Sequence, residues 1–225
     1  MSYELHIQDL KKMAYEPCLE VQRELQRAVI AGREQSDSSP FHLILVEHDP
    51  PVITVSKRPA ATNHLLATEE QLQHAGVQVC ATDRGGDITY HGPGQLVGYP
   101  ICDLNVLSLR LHGYMRFLEQ NIIDVLTQFG IEAHRDVCAT GVWIGNAKIC
   151  AMGVRLSRWV SMHGFALNVA PNMSDFQLIV PCGLEDRSVT SMKEILGEQC
   201  PTIEEVKEAV SEQFSNAISH QAQVQ

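Results

Sequence analysis

Apolar residues recur along this chain with two different spacings, one typical of helices and one typical of strands. Helical spacing over residues 15–33 predicts a helix that ends at Gly32. The predicted buried face of this helix consists of Leu19, Gln22, Leu25, Ala28 and Val29. The strongest helical stripe runs over residues 111–129 and predicts a core helix, and residues 189–196 and 203–214 have similar spacing.

Short apolar runs between these helices predict strands. They cover residues 42–47, 52–55, 77–80, 96–101 and 164–169, and residues 141–149 have the pattern of a hairpin that turns at Gly145-Asn146. Helices and strands in this mixture predict an α+β fold. We expect one domain over residues 1–219, followed by a polar tail over residues 220–225 that frays.

Composition and charge narrow the class of protein. The 225 residues are 44% hydrophobic and 20% charged, which is ordinary for a globular chain with a real core. The formal net charge is −10, which argues against a nucleic-acid partner because such proteins need a basic face. The sequence contains neither a run of about 18 apolar residues nor a signal-peptide pattern, so we expect a cytoplasmic protein with no membrane partner.

Seven cysteines are scattered along the chain without any Cys-x-x-Cys pair. In the cytoplasm they are expected to be reduced, and most of them are expected to be small buried residues. The ten histidines are also dispersed, and none forms a His-x-x-x-His pair with a carboxylate between. We therefore expect no metal site.

The densest unusual segment is residues 84–95, with the sequence RGGDITYHGPGQ. Its four glycines would let the backbone bend sharply and approach a ligand closely. Arg84, Thr89, Tyr90 and His91 would add hydrogen-bond donors and an aromatic wall. The segment alone is equally compatible with a surface hairpin, because it fits neither a P-loop nor a dinucleotide fingerprint.

Three further segments carry reactive side chains. Lys148 follows the predicted hairpin turn, Cys182 lies between a proline and a glycine, and His163 precedes the strand at residues 164–169. Taken singly, each has an ordinary explanation: a solvated lysine, a buried thiol and a core histidine.

Taken together, these segments resemble the lipoyl(octanoyl) transferase family, which transfers octanoyl groups from acyl carrier protein to proteins. The matching segments are RGGDITYHGPGQLVGYPICDL, TGVWIGNAKICAMGVR, HGFALNV and LIVPCGLEDRSVTSM, between about residues 47 and 192. The resemblance implies the fold of biotin and lipoate protein ligases, with mixed β-sheets flanked by helices.

The resemblance also implies roles for individual residues. Cys182 matches the nucleophile that forms an acyl-thioester, and Lys148 matches the lysine that activates it. The matching substrate-binding residues are Arg84, Gly85, Gly86, Asp87, Ile88, Thr89, Tyr90, His91, Ala151, Met152, Gly153, His163, Gly164, Phe165 and Ala166. Two positions depart from the family pattern: Ser56 stands in place of an expected glycine, and Met162 in place of a larger apolar residue or an aromatic.

The reaction implied by this resemblance is thioester exchange followed by amide formation. Cysteine suits it because a thiolate is a strong nucleophile and a thioester stays reactive. An ammonium at Lys148 would favour the thiolate, and the same side chain could then pass protons. The implied donor is octanoyl-acyl carrier protein. The implied acceptors are lipoyl domains of 2-oxoacid dehydrogenases and the glycine cleavage H protein, and neither a cofactor nor a metal is implied.

Two alternatives remain open from the sequence. The first is an ATP-dependent lipoate or biotin protein ligase, which shares the glycine-rich loop and the lysine but has no cysteine at position 182. The second is a non-catalytic module that binds acyl-carrier or lipoyl-type domains.

A cationic rim around the pocket is the last expectation. Acyl carrier proteins and lipoyl domains are usually acidic, so a chain of net charge −10 needs local positive charge to meet them. The candidate residues are Lys57, Arg58, Arg135, Arg155, Arg158 and Arg187.

Overall fold

In the computed structural model, two β-sheets and five α-helices are built from the described residues, which are 5–34, 40–180 and 187–223. The strands are β1 (His6–Met13), β2 (Phe41–His48), β3 (Val52–Ser56), β4 (Gln78–Thr82), β5 (Ile88–His91), β6 (Gln95–Cys102), β7 (His134–Arg135), β8 (Val142–Ile144), β9 (Ala147–Ser157), β10 (Val160–Asn168) and β11 (Ser188–Val189). The helices are α1 (Tyr15–Ala31), α2 (Glu69–Ala75), α3 (Leu111–Gln128), α4 (Met192–Leu196) and α5 (Ile203–Gln223).

The larger sheet has the strand order β1-β2-β6-β10-β9-β8-β7, and β11 adds to β9 outside this path. Pairs β1–β2 and β11–β9 are parallel, and the other pairs of this sheet are antiparallel. The smaller sheet has the order β4-β3-β5, with β4 parallel and β5 antiparallel to β3. The predicted α+β fold with mixed sheets is therefore confirmed.

The larger sheet has a different partner on each face. Alternate residues of its central strands, such as Leu96 and Phe165, pack in the main core with Leu118 of α3 and Phe214 of α5. The intervening positions of β6 and β10 belong to the clusters formed with α1 instead. The second face is the one that bears the pocket described below.

Most predicted elements are confirmed within a few residues, but the face of α1 is partly wrong. Ala28 is exposed, whereas Gln26 is buried and donates its side-chain N–H to the carbonyl oxygen of Val160, 2.8 Å away. Burial of a polar side chain with a hydrogen-bond partner cannot be recognised from apolar spacing.

The structure also contains elements that the hydrophobic pattern does not indicate. Strand β1 and helix α2 are almost entirely exposed, so neither has an apolar face to reveal it. Strand β5 lies inside the glycine-rich segment, and β10 begins four residues earlier than expected because a tight turn at Arg158-Trp159 links it to β9.

The C-terminal region differs in two places from the expectation. Val189 belongs to strand β11, and α4 begins only at Met192, where the Ser191 side chain caps it by accepting from the Glu194 N–H at 3.2 Å. The expected fraying after residue 219 is wrong for residues 220–223, because α5 continues to Gln223 with Ala222 buried. Among the described helices, none combines the length and apolar character that crossing a bilayer requires.

Candidate active site

A pocket lies between the two sheets, and the small residues of β9 and β10 form its floor. Ala151 pairs with Ala166, and Gly153 pairs with Gly164, so four minimal side chains lie together on two neighbouring strands. Larger side chains complete the lining: Val97 and Tyr99 come from the neighbouring strand β6, and the others are Tyr15, Arg84, Thr89 and His91. With its open mouth included, the space between these residues amounts to about 470 Å³.

Glycines allow the loop after β4 to lie directly on β9. The Gly85 N–H donates to the Val154 carbonyl oxygen at 3.0 Å, and a Cβ on Gly153 would lie only 2.4 Å from the Gly85 carbonyl oxygen. Gly86 has a φ of +96°, which other residues rarely adopt. Any side chain at position 153 would therefore push the loop away from the floor.

Arg84 is held by hydrogen bonds inside this loop. Its guanidinium donates to the Thr54 hydroxyl and carbonyl oxygens, both at 3.0 Å from Nη2, and to the Gly85 carbonyl oxygen at 3.0 Å from Nη1. These bonds tie the pocket wall to β3. Arg84 therefore fixes the shape of the wall.

Strand alternation divides the predicted loop residues between two environments. Thr89 and His91 line the pocket, whereas Ile88 and Tyr90 face a separate core on the other side of β5. The Tyr90 ring packs on Phe176 with ring centroids 5.1 Å apart, and its hydroxyl donates to Asp175 at 2.7 Å. The side chains of Ile88 and Tyr90 therefore lie on the face of β5 that points away from the pocket, and their role in binding substrate stays a prediction.

The other predicted pocket residues lie at or beside the pocket. Arg84, Gly86, Asp87, Ala151, Met152, Gly153, His163, Gly164, Phe165 and Ala166 line it together with Thr89 and His91, and Gly85 lines the adjoining opening. The Phe165 ring, however, stacks on Phe214 at 5.4 Å in the main core. Because its neighbours in β10 face the pocket, Phe165 contributes mainly backbone to the wall.

A buried cluster of histidines and tyrosines closes the inner side of the pocket. His48 donates from Nδ1 to the Met13 carbonyl oxygen at 2.9 Å and accepts at Nε2 from the Tyr99 hydroxyl at 2.7 Å. The His91 Nδ1 donates to the Gln95 side-chain oxygen at 2.8 Å. Burial lowers the pKa of His48 to about 4 and that of His91 well below its usual range. Both imidazoles are therefore neutral at pH 7, which suits an uncharged ligand.

Sequence reasoning missed several members of this cluster. Tyr15, Val97 and Tyr99 line the pocket, and His48 supports Tyr99 from behind. Strand alternation in residues 95–102 could have revealed Val97 and Tyr99, because Leu96 faces the main core. No local pattern distinguishes Tyr15, which reaches the pocket only because α1 packs on this face of the sheet.

His163 is a buried residue held by a carboxylate. Its Nε2 donates to Asp83 at 2.9 Å, and Arg155 lies 3.3 Å from the same carboxylate. Burial lowers the pKa of His163, and the Asp83 contact opposes this shift. Of the two departures from the family pattern, Met162 is fully buried against α1 and Ser56 ends β3 without a positive φ. Neither lines the pocket.

Lys148 lies beside the pocket in an adjoining opening. The two cavities share Gly86, Asp87, Met152 and Gly153. Lys148 is 6% exposed, and its Nζ lies 4.8 Å from the centroid of the Trp143 ring. Its backbone is fixed on both sides, since Trp143 of β8 and Val189 of β11 are its strand partners.

Cys182 lies in residues 181–186, outside the described residues. The described chain before this gap ends at Val180, whose N–H donates to the His64 carbonyl oxygen at 2.8 Å. The chain after the gap begins with Arg187, whose guanidinium also lies 4.8 Å from the Trp143 ring centroid. The residue that follows Arg187, Ser188, pairs with Ala147, next to Lys148.

The remaining thiols differ in accessibility. Burial raises the pKa of Cys18 and Cys102 to about 12 and raises that of Cys150 further, so all three are neutral thiols at pH 7. Cys138 is exposed and lines the opening that contains Lys148. Across residues 5–34, 40–180 and 187–223, we find no group of three or more side chains arranged to hold a metal ion.

The residues that were expected to form a cationic rim differ in their contacts and positions. Arg135, Arg155 and Arg187 pair with Glu119, Asp83 and Asp136, respectively. Arg58 is exposed and lines the Lys148 opening, next to exposed Lys57. Arg158 lies beyond the far end of β9, about 30 Å from Lys148 at the usual rise per residue of a strand.

Comparison with known proteins agrees with this arrangement. Residues 15–215 match the family described as the lipoyl protein ligase A/B catalytic domain. The octanoyltransferase of Solibacter usitatus (strain Ellin6076) is 48% identical over 209 residues, which cover 93% of this chain and 90% of that protein.

Solved structures share the fold at low sequence identity. A bipartite lipoate protein ligase from Thermoplasma acidophilum superposes with a TM-score of 0.67 at 15% identity, covering 96% of this chain and 84% of that one. The biotin protein ligase of Aquifex aeolicus gives a TM-score of 0.53 at 13% identity, covering 100% and 72%. On the strength of the sequence relatives, this chain belongs to the octanoyltransferases, the acyltransferases of the lipoyl protein ligase A/B catalytic domain family.

Proposed function

We propose that this octanoyltransferase takes an octanoyl group from acyl carrier protein onto Cys182 as a thioester and passes it to a lysine of a lipoyl domain. The acceptors would be lipoyl domains of 2-oxoacid dehydrogenases and the glycine cleavage H protein. The observation that carries the proposal is the small-residue pocket joined to the opening of buried Lys148. The joined cavities offer space for an acyl chain next to a group that can transfer protons.

The pocket suits an aliphatic chain for two reasons. Ala151, Gly153, Gly164 and Ala166 leave space along its floor, and the neutral His91 and His48 add no charge to its inner side. The Arg84 guanidinium donates to Thr54 and Gly85, so it stabilises the wall of the pocket. An acyl chain would thus be held by exclusion of water and by contact with the walls.

Lys148 would move protons in both halves of the reaction. In the first half, the Cys182 thiolate attacks the octanoyl thioester, the carrier thiolate leaves, and the Lys148 ammonium protonates it. In the second half, neutral Lys148 takes a proton from the acceptor lysine as that amine attacks the acyl-enzyme. An amide forms, the Cys182 thiolate leaves, and no ATP is consumed because the incoming thioester is already activated.

Intact-mass measurement after incubation with octanoyl-carrier protein tests the acyl-enzyme. We expect one added octanoyl group on the wild type and on Cys150→Ala, whose thiol is fully buried. Cys182→Ser should gain none, and Cys138→Ala controls for the exposed thiol in the same opening. An adduct that disappears with Cys138→Ala would contradict the assignment of the nucleophile.

A second measurement separates the proposal from its rivals. Octanoyl-loaded enzyme, freed of donor and ATP, should transfer its acyl group to a purified lipoyl domain. Transfer from octanoic acid that requires ATP would indicate a ligase. Binding of both partners without an added octanoyl mass would indicate a non-catalytic module.

A further inference from the structure

Trp143 contacts the two cations nearest the gap in the described chain. Its side chain is completely buried. The Lys148 Nζ and the Arg187 guanidinium carbon each lie 4.8 Å from its ring centroid, within the range of a cation–π contact. The indole N–H donates to the Ala139 carbonyl oxygen at 3.1 Å, which fixes the plane of the ring.

The turn that holds the indole also holds Arg187. The Asp136 carboxylate accepts from the Cys138 and Ala139 N–H groups at 2.8 and 2.9 Å, and its second oxygen accepts from the Arg187 Nη1 at 2.7 Å. The Arg187 contact and these N–H groups lower the pKa of Asp136, so the carboxylate stays ionised through the neutral range. Arg187 is thereby tied both to the ring of Trp143 and to the turn.

Arg187 is also the first described residue after residues 181–186. Its neighbour Ser188 begins the short strand that pairs with Ala147 and Lys148. The Trp143 ring therefore contacts both Lys148, the proposed proton carrier, and Arg187, the residue directly before β11.

Building on the function proposed above, we propose that Trp143 is a positioning residue for this octanoyltransferase. Its ring fixes the Lys148 amine and the Arg187 guanidinium relative to each other. Tryptophan suits this role because it has the largest aromatic face, and arginine suits it because its planar guanidinium stacks on such a face.

The second tryptophan of the chain, which is 39% exposed, provides a control for the cation–π contact alone. Trp159 lies in the turn between β9 and β10, with the Arg110 guanidinium 4.6 Å from its ring centroid. It forms the same kind of contact at the far end of β9 from Lys148. The test therefore compares Trp143→Leu and Trp143→Phe with Trp159→Leu and Trp159→Phe.

Two rates are measured for each variant after circular dichroism has confirmed its fold. The first is alkylation of Cys182 by iodoacetamide without substrate, followed by peptide mass. The second is octanoyl loading at saturating octanoyl-carrier protein. We expect Trp143→Leu to slow both by about tenfold or more, Trp143→Phe to stay within about threefold of the wild type, and both Trp159 variants to match it. Equal rates for Trp143→Leu and wild type would overturn the proposal, as would equal losses in the leucine and phenylalanine variants.

Arg187 keeps the proposal testable if Trp143→Leu fails to fold. Arg187→Met should slow both rates, whereas Arg187→Lys should slow them less, because a lysine still presents a cation to the ring. Where both single variants fold, the double variant Trp143→Leu/Arg187→Met should lose less than the product of the two single losses, since both act through one ring. Wild-type rates in Arg187→Met would overturn the proposal. Failure of the proposed function is recognised separately. In that case the wild type would take no octanoyl group on Cys182, while the alkylation rates of Cys182 would still differ among the variants in the expected order.

Discussion

Two lysines of this protein are almost equally buried, yet their surroundings differ. Lys207 on α5 is 5% exposed, and its Nζ lies 3.3 Å from Asp9 and 3.7 Å from Glu204. Lys148 on β9 is 6% exposed, and its Nζ lies on the Trp143 ring beside the pocket. Both residues meet the rule that buried charges need favourable contacts. Both line a cavity, but only the opening at Lys148 joins the pocket with the small-residue floor.

The comparison shows that burial of a charge does not by itself mark a functional site. Lys207 links α5 to β1, the strand at one end of the larger sheet, and this contact gives it a structural role. Lys148 is fixed through its backbone by strands on both sides and opens toward Met152 and Gly153. The two lysines differ in the cavity they line: Lys207 lines an open groove together with several glutamates, whereas Lys148 lines an opening that joins the pocket.

The largest expected effect comes from replacing each lysine by arginine. Lys148→Arg should lower octanoyl transfer by roughly 10²–10⁴-fold, because arginine keeps the charge but does not exchange its proton at neutral pH. Its melting temperature should stay close to that of the wild type. Lys207→Arg should keep its transfer rate, since it preserves a cation beside Asp9. Transfer rates and thermal unfolding of the two purified variants check both expectations.

The opposite pattern would reverse the assignment of the two lysines. If Lys148→Arg transfers octanoyl groups at the wild-type rate, Lys148 acts through its charge alone. If Lys207→Arg loses transfer while its melting temperature is unchanged, the groove near α5 takes part in the reaction.

The sequence predicted the fold well where one apolar face dominates. The stripe at residues 111–129 and the hairpin at Gly145-Asn146 are confirmed within a residue or two. Strand β1 was missed because six of its eight residues are exposed, and it is held mainly by pairing with β2. Pairing between distant segments leaves no local pattern in the sequence.

The candidate site was predicted only in part. The loop glycines and the small floor residues were found through the family resemblance, and the structure places them at one pocket. The side chains of Ile88 and Tyr90 lie outside this pocket because successive side chains of a strand point to opposite faces. The roles of Cys182 and Lys148 stay predictions, which the variants above test.

The second prediction compares how protonation at low pH destabilises the pocket region, which includes His48, and the Lys207 region. His48 has a folded pKa of about 4 against an ordinary value of 6.5, so the folded state favours its neutral form. The stability it contributes is complete above pH 6.5 and is lost as the pH falls toward 4, by roughly 3 kcal/mol in total. In His48→Gln, the free energy of unfolding should decrease less between pH 6.5 and 4 than in the wild type. Part of the decrease should remain, because burial also lowers the pKa of His91.

The Lys207 region should respond only at lower pH. Although burial works to raise it, hydrogen bonds from Lys11 and Lys207 hold the pKa of Asp9 below its ordinary value of 3.8. The corresponding stability is present above that value and is lost as the pH falls below it. Asp9→Asn should therefore leave the slope between pH 6.5 and 4 unchanged. Urea unfolding at intervals across this range checks both variants, and equal slopes in His48→Gln and wild type would contradict the first.

The third prediction fills one cavity in each region. Ala151→Leu adds a side chain to the floor of the pocket, and we expect loading of octanoyl groups to fall about tenfold while butanoyl loading changes little. Ser211→Leu fills the groove beside Lys207 and should change neither. Ala151 is preferable to Gly164 here, because a Cβ on Gly164 would lie 2.2 Å from the Gly98 carbonyl oxygen and disturb the sheet. Competition between octanoyl- and butanoyl-carrier protein measures the ratio, and an equal loss for both chains would place the acyl chain elsewhere.

The smallest expected effect concerns how an acidic partner meets the two regions. Exposed Arg58 lines the Lys148 opening, whereas Glu204, Glu208 and Glu212 line the groove beside Lys207. An acidic carrier should therefore approach the first region, and charges at the rim act mainly on the rate of association. Arg58→Glu should lower transfer at low carrier concentration by a few-fold and should flatten its dependence on salt.

Arg158→Glu makes the same change of charge about 30 Å from Lys148 along β9, so it serves as the matched control. The two positions were expected to act alike from the sequence, and the structure separates them. At physiological salt, charges are screened over about 8 Å, so Arg158 is too distant to guide a carrier to this opening. Transfer rates from low to moderate ionic strength decide the matter. Equal losses in the two variants would mean that net charge matters more than its position, and wild-type transfer that ignores salt would exclude electrostatic docking altogether.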